Sequence, residues 1–164
     1  MAMVATEHQR ALPRGGRSRI LAIASGGGHW VQLLRLRPAL AEHDVTYVSV
    51  DKQYRSDISP APFRVVNDAT RKDWVALVFL AVRLLWILIR VRPDTIVTTG
   101  AAPGYLAVRL GKLFGVRTIW IDSIANVEQL SLSGRQVGPY ADLWLTQWSH
   151  LAGVGGPHFA GAVL

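Results

Sequence analysis

An apolar run over residues 20–25 ends at Gly26-Gly27-Gly28-His29, and a helical pattern follows. This order predicts a buried strand, a tight turn and the N-terminus of a helix. Glycines let a ligand approach the backbone closely, and a helix N-terminus presents unpaired N–H groups with partial positive charge. The turn therefore predicts a phosphate site, with His29 placed to exchange a proton near neutral pH. A turn used for packing, with His29 as a capping residue, is the alternative.

Strand and helix patterns alternate along the rest of the chain. Strands are predicted at residues 45–50, 63–67, 95–98, 117–122 and 143–147, and helices at residues 30–42, 73–91 and 105–114. Such alternation predicts an α/β fold, a Rossmann-like parallel sheet with helices on both faces. Ligands bind such sheets beyond the carboxyl ends of the strands. We therefore expect the glycine turn, a second glycine loop at residues 100–104 and the segment 122–134 to share one edge of the sheet.

The net charge of the 164-residue chain is +7, which predicts an anionic partner such as a phosphorylated substrate or an anionic membrane surface. Nucleic acid is disfavoured because the cations lie among apolar residues. Residues 1–18 form a basic segment without an apolar core, which predicts a disordered tail and not a signal peptide. The chain has no cysteine, and its histidines lack the spacing of a metal site, so neither a metal nor a cofactor is expected.

Residues 73–91 contain an apolar stretch long enough for a membrane-spanning helix. Arg83 lies near its middle, where an arginine costs about 2.5–3.5 kcal/mol in a span, so crossing the bilayer is disfavoured. Arg83 and Arg90 fall within about 20° of each other on a helical wheel, and Trp74 and Trp86 are of the type that favours a membrane interface. The pattern predicts a helix lying in the membrane surface. A crossover helix buried against the sheet, with extended arginines, is the alternative.

Several motifs recur in a fixed order along residues 19–151. They are Ser25-Gly26-Gly27-Gly28-His29, Arg92-Pro93-Asp94, Gly100-Ala101-Ala102-Pro103-Gly104, a block over residues 121–134 and another over residues 141–148. With this ordered set the chain resembles the membrane-associated, acceptor-side subunit of two-component glycosyltransferases. That family includes bacterial PssD-like exopolysaccharide proteins. It also includes the membrane subunit of the eukaryotic enzyme that adds the second GlcNAc to dolichyl-diphosphate-GlcNAc.

The resemblance implies the N-terminal half of a GT-B glycosyltransferase, inactive until a separate subunit supplies the C-terminal half. Inverting transfer from a UDP-sugar to a polyprenyl-diphosphate-linked saccharide is the implied reaction. It also implies peripheral or monotopic attachment at the cytoplasmic face of the inner (plasma) membrane. The expected domains are the tail 1–18, an acceptor-binding domain 19–148 and a glycine-rich partner-docking tail 149–164. Asp122, where the eukaryotic pattern has glutamate, and the lack of an N-terminal membrane helix favour a bacterial member.

The resemblance also implies roles for individual residues. His29 is the candidate base or phosphate contact, and Asp122 is an alternative base, although a helix-capping role suits it equally. Substrate-binding residues are expected at Ser25, Gly26, Gly27, Gly28, Gly100, Gly104, Ser123, Asn126 and Glu128. The alternatives are a cap for Ser123 and a solvated side chain for Glu128.

Two other functions compete with a transferase subunit. A membrane adaptor without catalytic residues would keep the fold and the apolar helix but would not need His29. A nicotinamide-dinucleotide-binding protein would use Asp51, at the end of the second strand, to hold a ribose. The glycine turn does not fit the GxGxxG pattern, which disfavours this second alternative.

Overall fold

The computed structural model describes residues 16–70 and 72–163, so most of the predicted tail 1–18 lies outside the described residues. The fold is one seven-stranded sheet in which every neighbouring pair is parallel. The strands are β1 (Arg19–Ile23), β2 (Asp44–Ser49), β3 (Phe63–Val65), β4 (Thr95–Thr98), β5 (Arg117–Ile121), β6 (Leu143–Thr146) and β7 (His158–Phe159). Their order across the sheet is β3-β2-β1-β4-β5-β6-β7.

Five α-helices and three 3₁₀ helices connect the described strands. The α-helices are α1 (Gly28–Arg35), α2 (Arg37–Leu40), α3 (Trp74–Val91), α4 (Ala101–Leu113) and α5 (Leu132–Val137). The 3₁₀ helices are Lys52–Ile58, Gly138–Tyr140 and Ser149–Leu151. Strand order reverses between β1 and β4, which places a crevice beyond their carboxyl ends, where α/β proteins bind ligands.

Both faces of the sheet are covered, as the predicted fold class requires. Leu21 and Ile23 of β1 pack with α3 and α4 on one face. Ile20 and Ala22 of the same strand pack on the other face, with Trp30 and Leu33 of α1 and with Ile58. Because side chains alternate along a strand, a strand buried on both faces is apolar throughout, which explains the continuous apolar run.

Two predicted helix boundaries are wrong, and proline is involved at both. The predicted helix 30–42 is divided at Leu36, because Pro38 lacks an N–H and lies in the first turn of a new helix, α2, which begins at Arg37. The predicted loop 100–104 is instead the start of α4, which begins at Ala101 and not at residue 105. Pro103 is tolerated in the first turn of α4, where backbone N–H groups have no helical partner.

The C-terminal segment, predicted as a partner-docking tail over residues 149–164, adds a strand to the sheet within its described residues 149–163. Its residues 158–159 form β7, which pairs with β6. Near the end of the chain the Val163 N–H donates to Gln147 Oε1 at 2.8 Å, and the Val163 carbonyl accepts from Arg35 at 3.1 Å. Val154 and Phe159 stay exposed. The segment is therefore folded against the end of the domain with apolar side chains facing outward.

Candidate functional site

The glycine turn lies between β1 and α1, beside the crevice. Gly27 has a φ of 61°, in the left-handed region that favours glycine, and its N–H donates to the Tyr54 hydroxyl at 2.9 Å. Gly28 is exposed, and a Cβ built there would have no atom within 4 Å. The turn therefore leaves open space in front of the first turn of α1.

His29 is half-buried in the first turn of α1, and its ring is fixed by Thr99, the residue after β4. Its Nδ1 lies 2.8 Å from the carbonyl oxygen of Thr99, and the Thr99 hydroxyl donates to the His29 carbonyl at 2.7 Å. A carbonyl oxygen only accepts, so Nδ1 carries a hydrogen. In the neutral ring Nε2 then has the free lone pair, which makes it the atom able to accept a proton.

Of the two glycines in the second glycine segment, residues 100–104, Gly100 lies against the His29 ring and Gly104 does not. Gly100 is buried with a φ of 121°, and a Cβ there would lie 3.1 Å from two atoms of the His29 ring. Gly104 is buried inside α4, where a Cβ would collide with the side chain of Thr98. Gly104 therefore packs α4 onto β4, which favours a packing role, and its predicted substrate contact stays a prediction.

Asp122 follows β5 and is only 1% exposed. Its Oδ1 accepts from the Ser131 hydroxyl at 2.6 Å and from Trp120 Nε1 at 3.2 Å. Its Oδ2 accepts from the Ser131 N–H at 2.9 Å and from Asn126 at 3.2 Å. Both oxygens are engaged, so this carboxylate holds the segment 122–134 in place and is not placed to take a proton from a ligand. These hydrogen bonds favour a structural role for Asp122 over the role of alternative base, which stays a prediction.

The remaining predicted residues differ in how far they reach the surface. Ser123 is buried, and its hydroxyl accepts from Gln32 Nε2 at 3.1 Å and from a backbone N–H. Asn126 is half-buried, whereas Glu128 is exposed and has no ion pair with any described residue. Ser25 is half-buried, and its carbonyl accepts from the Ser49 hydroxyl at 3.0 Å. Of this group, Glu128 is the side chain most open to a ligand.

Sequence reasoning missed a buried pair of glutamines beneath the site. Gln32 Oε1 accepts from Gln147 Nε2 at 2.7 Å and from the Ile124 N–H at 3.1 Å. Gln147 Nε2 also donates to the Asp122 carbonyl at 2.9 Å, and both glutamines are 4% exposed. The pair ties α1 and the end of β6 to the segment 122–134. Nothing in the sequence marks either glutamine, since each resembles a solvated helix or strand residue.

Asp51, the ribose-binding candidate of the dinucleotide alternative, has a local structural role. Its carboxylate accepts from the Gln53 N–H at 2.9 Å and caps the 3₁₀ helix Lys52–Ile58. Among the described residues, no three His, Cys, Asp or Glu side chains cluster as metal ligands would.

Helix α3 packs one face on the sheet and exposes another apolar face. Leu80, Leu84, Ile87 and Leu88 are buried against the sheet. The exposed apolar residues are Trp74, Val75, Val78, Phe79, Val82, Trp86 and Ile89. With a mean hydropathy of 2.2, α3 is long and apolar enough to cross a membrane. Some core helices of soluble proteins are equally long and apolar. The packing of α3 against the sheet is therefore confirmed for one face, and a position of the other face in the membrane surface stays a prediction.

The two predicted arginines border the exposed face of α3. Arg83 is exposed, and its Nε donates to the Val65 carbonyl at 3.1 Å. The Arg90 guanidinium lies 5.3 Å from the ring centre of Trp86. We call the exposed apolar residues of α3, with Arg83 and Arg90 beside them, the apolar face of α3.

Two solved structures resemble this fold. The chain aligns with Acinetobacter baumannii MurG with a TM-score of 0.71 and 11% identity, over 87% of this chain and 45% of MurG. It aligns with UDP-GlcNAc 2-epimerase from Methanocaldococcus jannaschii with a TM-score of 0.60 and 10% identity, over 78% of this chain and 39% of the epimerase. The chain thus spans less than half of either protein, and the likeness confirms a Rossmann-like GT-B half.

Sequence relatives carry one shared name, UDP-N-acetylglucosamine transferase subunit ALG14. The mouse protein is 26% identical over 166 residues, covering 81% of this chain and 76% of the relative. The fission yeast protein is 40% identical over 67 residues, covering 37% of this chain and 31% of the relative. A family described as "Oligosaccharide biosynthesis protein Alg14 like" matches residues 57–155, which is more than half of the chain. The chain therefore belongs to the Alg14-like family of oligosaccharide biosynthesis proteins.

Proposed function

We propose that this chain is the membrane-associated, acceptor-side subunit of a two-component inverting glycosyltransferase. The reaction moves a sugar from a UDP-sugar to a polyprenyl-diphosphate-linked saccharide. A separate subunit supplies the C-terminal half of the GT-B fold and the UDP-sugar site. The transferase-subunit name of the relatives and the likeness to half of MurG support this proposal. The observation that carries the catalytic part is the fixed ring of His29 at the glycine turn.

His29 acts as the general base. Its Nε2 takes the proton from an acceptor hydroxyl while that oxygen attacks the anomeric carbon of the donor. The new glycosidic bond forms as the bond to UDP breaks, UDP leaves with the bonding electrons, and the anomeric centre inverts. The Thr99 carbonyl stabilises the protonated ring because it already accepts from Nδ1. A positioned base of this kind contributes about 10²–10⁴-fold to the rate.

The apolar face of α3 holds the subunit at the cytoplasmic face of the inner membrane. Its residues lie opposite the side that packs on the sheet, so they can enter the lipid without disturbing the core. Arg83 and Arg90 border this face, where anionic head groups would meet them. The lipid-linked acceptor then reaches the site without leaving the membrane surface.

The C-terminal segment 149–164 docks the partner subunit. Val154 and Phe159 are exposed on it, and Val163 ties it to Gln147 beneath the site. Exposed apolar side chains at the rim of the domain are suited to binding a second subunit. A Val154→Ser variant should bind the partner more weakly with unchanged thermal unfolding. Unchanged affinity of this variant would remove the segment from the interface.

The decisive experiment reconstitutes transfer with a candidate C-terminal-half subunit and tests His29→Ala. We expect no transfer by the chain alone, transfer by the pair, and a loss of about 10²-fold or more in the variant. His43→Ala is the matched control, because His43 is also partly buried but precedes β2, at the opposite edge of the sheet. Transfer by the isolated chain would overturn the two-component proposal. Near-normal turnover of His29→Ala in the pair would favour the adaptor.

A further inference from the structure

Tyr54 lies directly on the glycine turn, and nothing in the sequence analysis pointed to it. Its hydroxyl oxygen accepts the Gly27 N–H at 2.9 Å, and a Cβ on Gly26 would come within 3.2 Å of it. The ring is stacked on Trp30, with centres 4.9 Å apart and planes 17° from parallel. Trp30 is itself 1% exposed and donates to Asp57 at 2.9 Å. The position of the hydroxyl is therefore set by packing and not by a mobile side chain.

The Tyr54 hydroxyl still has a hydrogen to donate. A phenol oxygen both accepts and donates, and its acceptor role is taken by Gly27. None of the described residues accepts a hydrogen bond from this hydroxyl, and Tyr54 is only half-buried. The turn N–H expected from the sequence to bind phosphate is thus occupied by Tyr54. The tyrosine in turn holds a hydroxyl with a hydrogen to donate against the backbone of Gly26 and Gly27.

Two exposed cations lie on the same 3₁₀ helix as Tyr54. Lys52 and Arg55 are exposed on the same 3₁₀ helix, Lys52–Ile58, and neither forms an ion pair with a described residue. The two carboxylates of this segment are engaged, since Asp51 caps Gln53 and Asp57 accepts from Trp30. Lys52 and Arg55, three residues apart, share one face of this 3₁₀ helix, which also carries the Tyr54 hydroxyl.

We propose that the 3₁₀ helix Lys52–Ile58 forms one wall of a diphosphate-binding site, in which the Tyr54 hydroxyl donates to a phosphate oxygen. Lys52 and Arg55 balance the charge of the same diphosphate. The proposal rests on the proposed function for one point only, the source of the diphosphate. That source is either the lipid-linked acceptor or the UDP-sugar. Tyr54 is thus a binding residue for the diphosphate, next to the base His29.

The test measures binding of two diphosphates to the purified full-length chain by calorimetry, geranylgeranyl diphosphate for the acceptor and UDP for the donor. In Tyr54→Phe the ring keeps its stack on Trp30 and loses only the hydroxyl. We expect one of the two ligands to bind about tenfold more weakly, the effect of a lost hydrogen bond to a charged group. The ligand affected identifies the source of the diphosphate.

Tyr47→Phe is the matched control. Tyr47 also contacts Trp30, edge-on at 6.2 Å, but it is buried within β2 away from the turn. This variant should bind both ligands as the wild type does. A Lys52→Ala, Arg55→Ala double variant should weaken the same ligand that Tyr54→Phe weakens, and less so at high salt. Equal affinity of Tyr54→Phe and wild type, or no binding of either diphosphate by the wild type, overturns the proposal.

The kinetic readout separates this proposal from the proposed function. In the reconstituted pair, Tyr54→Phe should raise the KM for one substrate severalfold more than it lowers kcat, whereas His29→Ala lowers kcat. If no partner restores transfer but Tyr54→Phe still loses diphosphate binding, the transferase function fails and the binding site stands. If transfer is intact and Tyr54→Phe leaves both KM values unchanged, the binding site fails and the function stands.

Discussion

The Nδ1 atom of His29 and the carbonyl oxygen of Thr99 lie 2.8 Å apart, and the Thr99 hydroxyl returns a hydrogen bond to the His29 carbonyl. This reciprocal pair joins the helix that follows β1 to the end of β4, the neighbouring strand. It fixes the ring plane and leaves Nε2 as the free nitrogen of the neutral imidazole. This geometry requires a glycine at position 100, because a side chain there would press against the His29 ring.

Gly100→Ala should damage both stability and activity. The φ of 121° is strained for alanine, and the new Cβ would lie 3.1 Å from the His29 ring. We expect the free energy of unfolding in urea to fall by about 1–3 kcal/mol. The ring would have to shift to make room, so transfer by the reconstituted pair should fall as well.

Gly28→Ala is the matched glycine variant, for which no loss of stability is expected. A Cβ at Gly28 meets no atom within 4 Å, so the free energy of unfolding should stay within about 0.5 kcal/mol of the wild type. Transfer should still fall, because the methyl group occupies the space through which a ligand approaches the turn. Full transfer by Gly28→Ala would show that no ligand comes close to this backbone.

Asp122→Asn should lower stability, since the carboxylate accepts hydrogen bonds from Trp120, Ser131 and Asn126. An amide places an N–H₂ group where one acceptor oxygen stood, so at least one buried donor loses its partner. We expect the free energy of unfolding to fall by about 1–3 kcal/mol in urea. Glu128→Gln, at an exposed residue of the same segment, is the control and should be neutral.

A catalytic base at Asp122 would give a different result. Turnover of Asp122→Asn would then fall by about 10²-fold or more with unaltered stability. That outcome would restore Asp122 as the alternative to His29 and contradict the structural role assigned here.

The sequence was sufficient for the first six strands and for the position of His29 after β1, whereas the two-residue strand β7 was not predicted. Strands β1 and β4 are continuous apolar or β-branched runs, and a strand–glycine–helix turn is determined by neighbouring residues. The helix boundaries near Pro38 and Pro103 were missed because proline is compatible with the first turn of a helix as well as with a loop. Local pattern alone does not distinguish these two cases.

The rest of the site depends on contacts between distant parts of the chain. Gln32 and Gln147 are 115 residues apart, and Tyr54 meets Gly27 across 27 residues. Such pairs follow from the order and register of the strands, which no local pattern encodes. Asp122 was open to misassignment for the same reason. Its burial becomes evident only when the partners that surround its carboxylate are known.

Acid should destabilise the domain partly through Asp142. Burial acts to raise the pKa of this carboxyl, but hydrogen bonds from Lys112 and Thr118 outweigh it and hold the pKa below its ordinary value of 3.8. A depressed folded-state pKa stabilises the native state above the unfolded value. This contribution is lost as the pH falls from about 4 through the folded-state pKa. Urea unfolding measured between pH 7 and pH 3 should therefore show a steeper loss for the wild type than for Asp142→Asn. Parallel curves would contradict this assignment.

The apolar face of α3 should set membrane affinity independently of folding. Val82 and Ile89 are 61% and 55% exposed at the middle of this face, so Val82→Glu and Ile89→Glu leave the core intact. Each substitution removes apolar area from the lipid and adds a charge that anionic head groups repel. We expect the double variant to bind vesicles of phosphatidylglycerol and phosphatidylcholine at least tenfold more weakly in a sedimentation assay, with unchanged thermal unfolding.

Leu113→Glu is the control for this membrane prediction. Leu113 is 80% exposed and ends α4, outside the apolar face of α3, so glutamate there should leave vesicle binding unchanged. Equal loss in the control and the double variant would mean that any added negative charge weakens binding, and that α3 has no special part in it. Full vesicle binding by the double variant would instead assign the apolar face of α3 to a protein partner. If the apolar face of α3 enters the lipid, the double variant loses vesicle binding and Leu113→Glu keeps it, because only residues that enter the bilayer lose apolar contact on substitution.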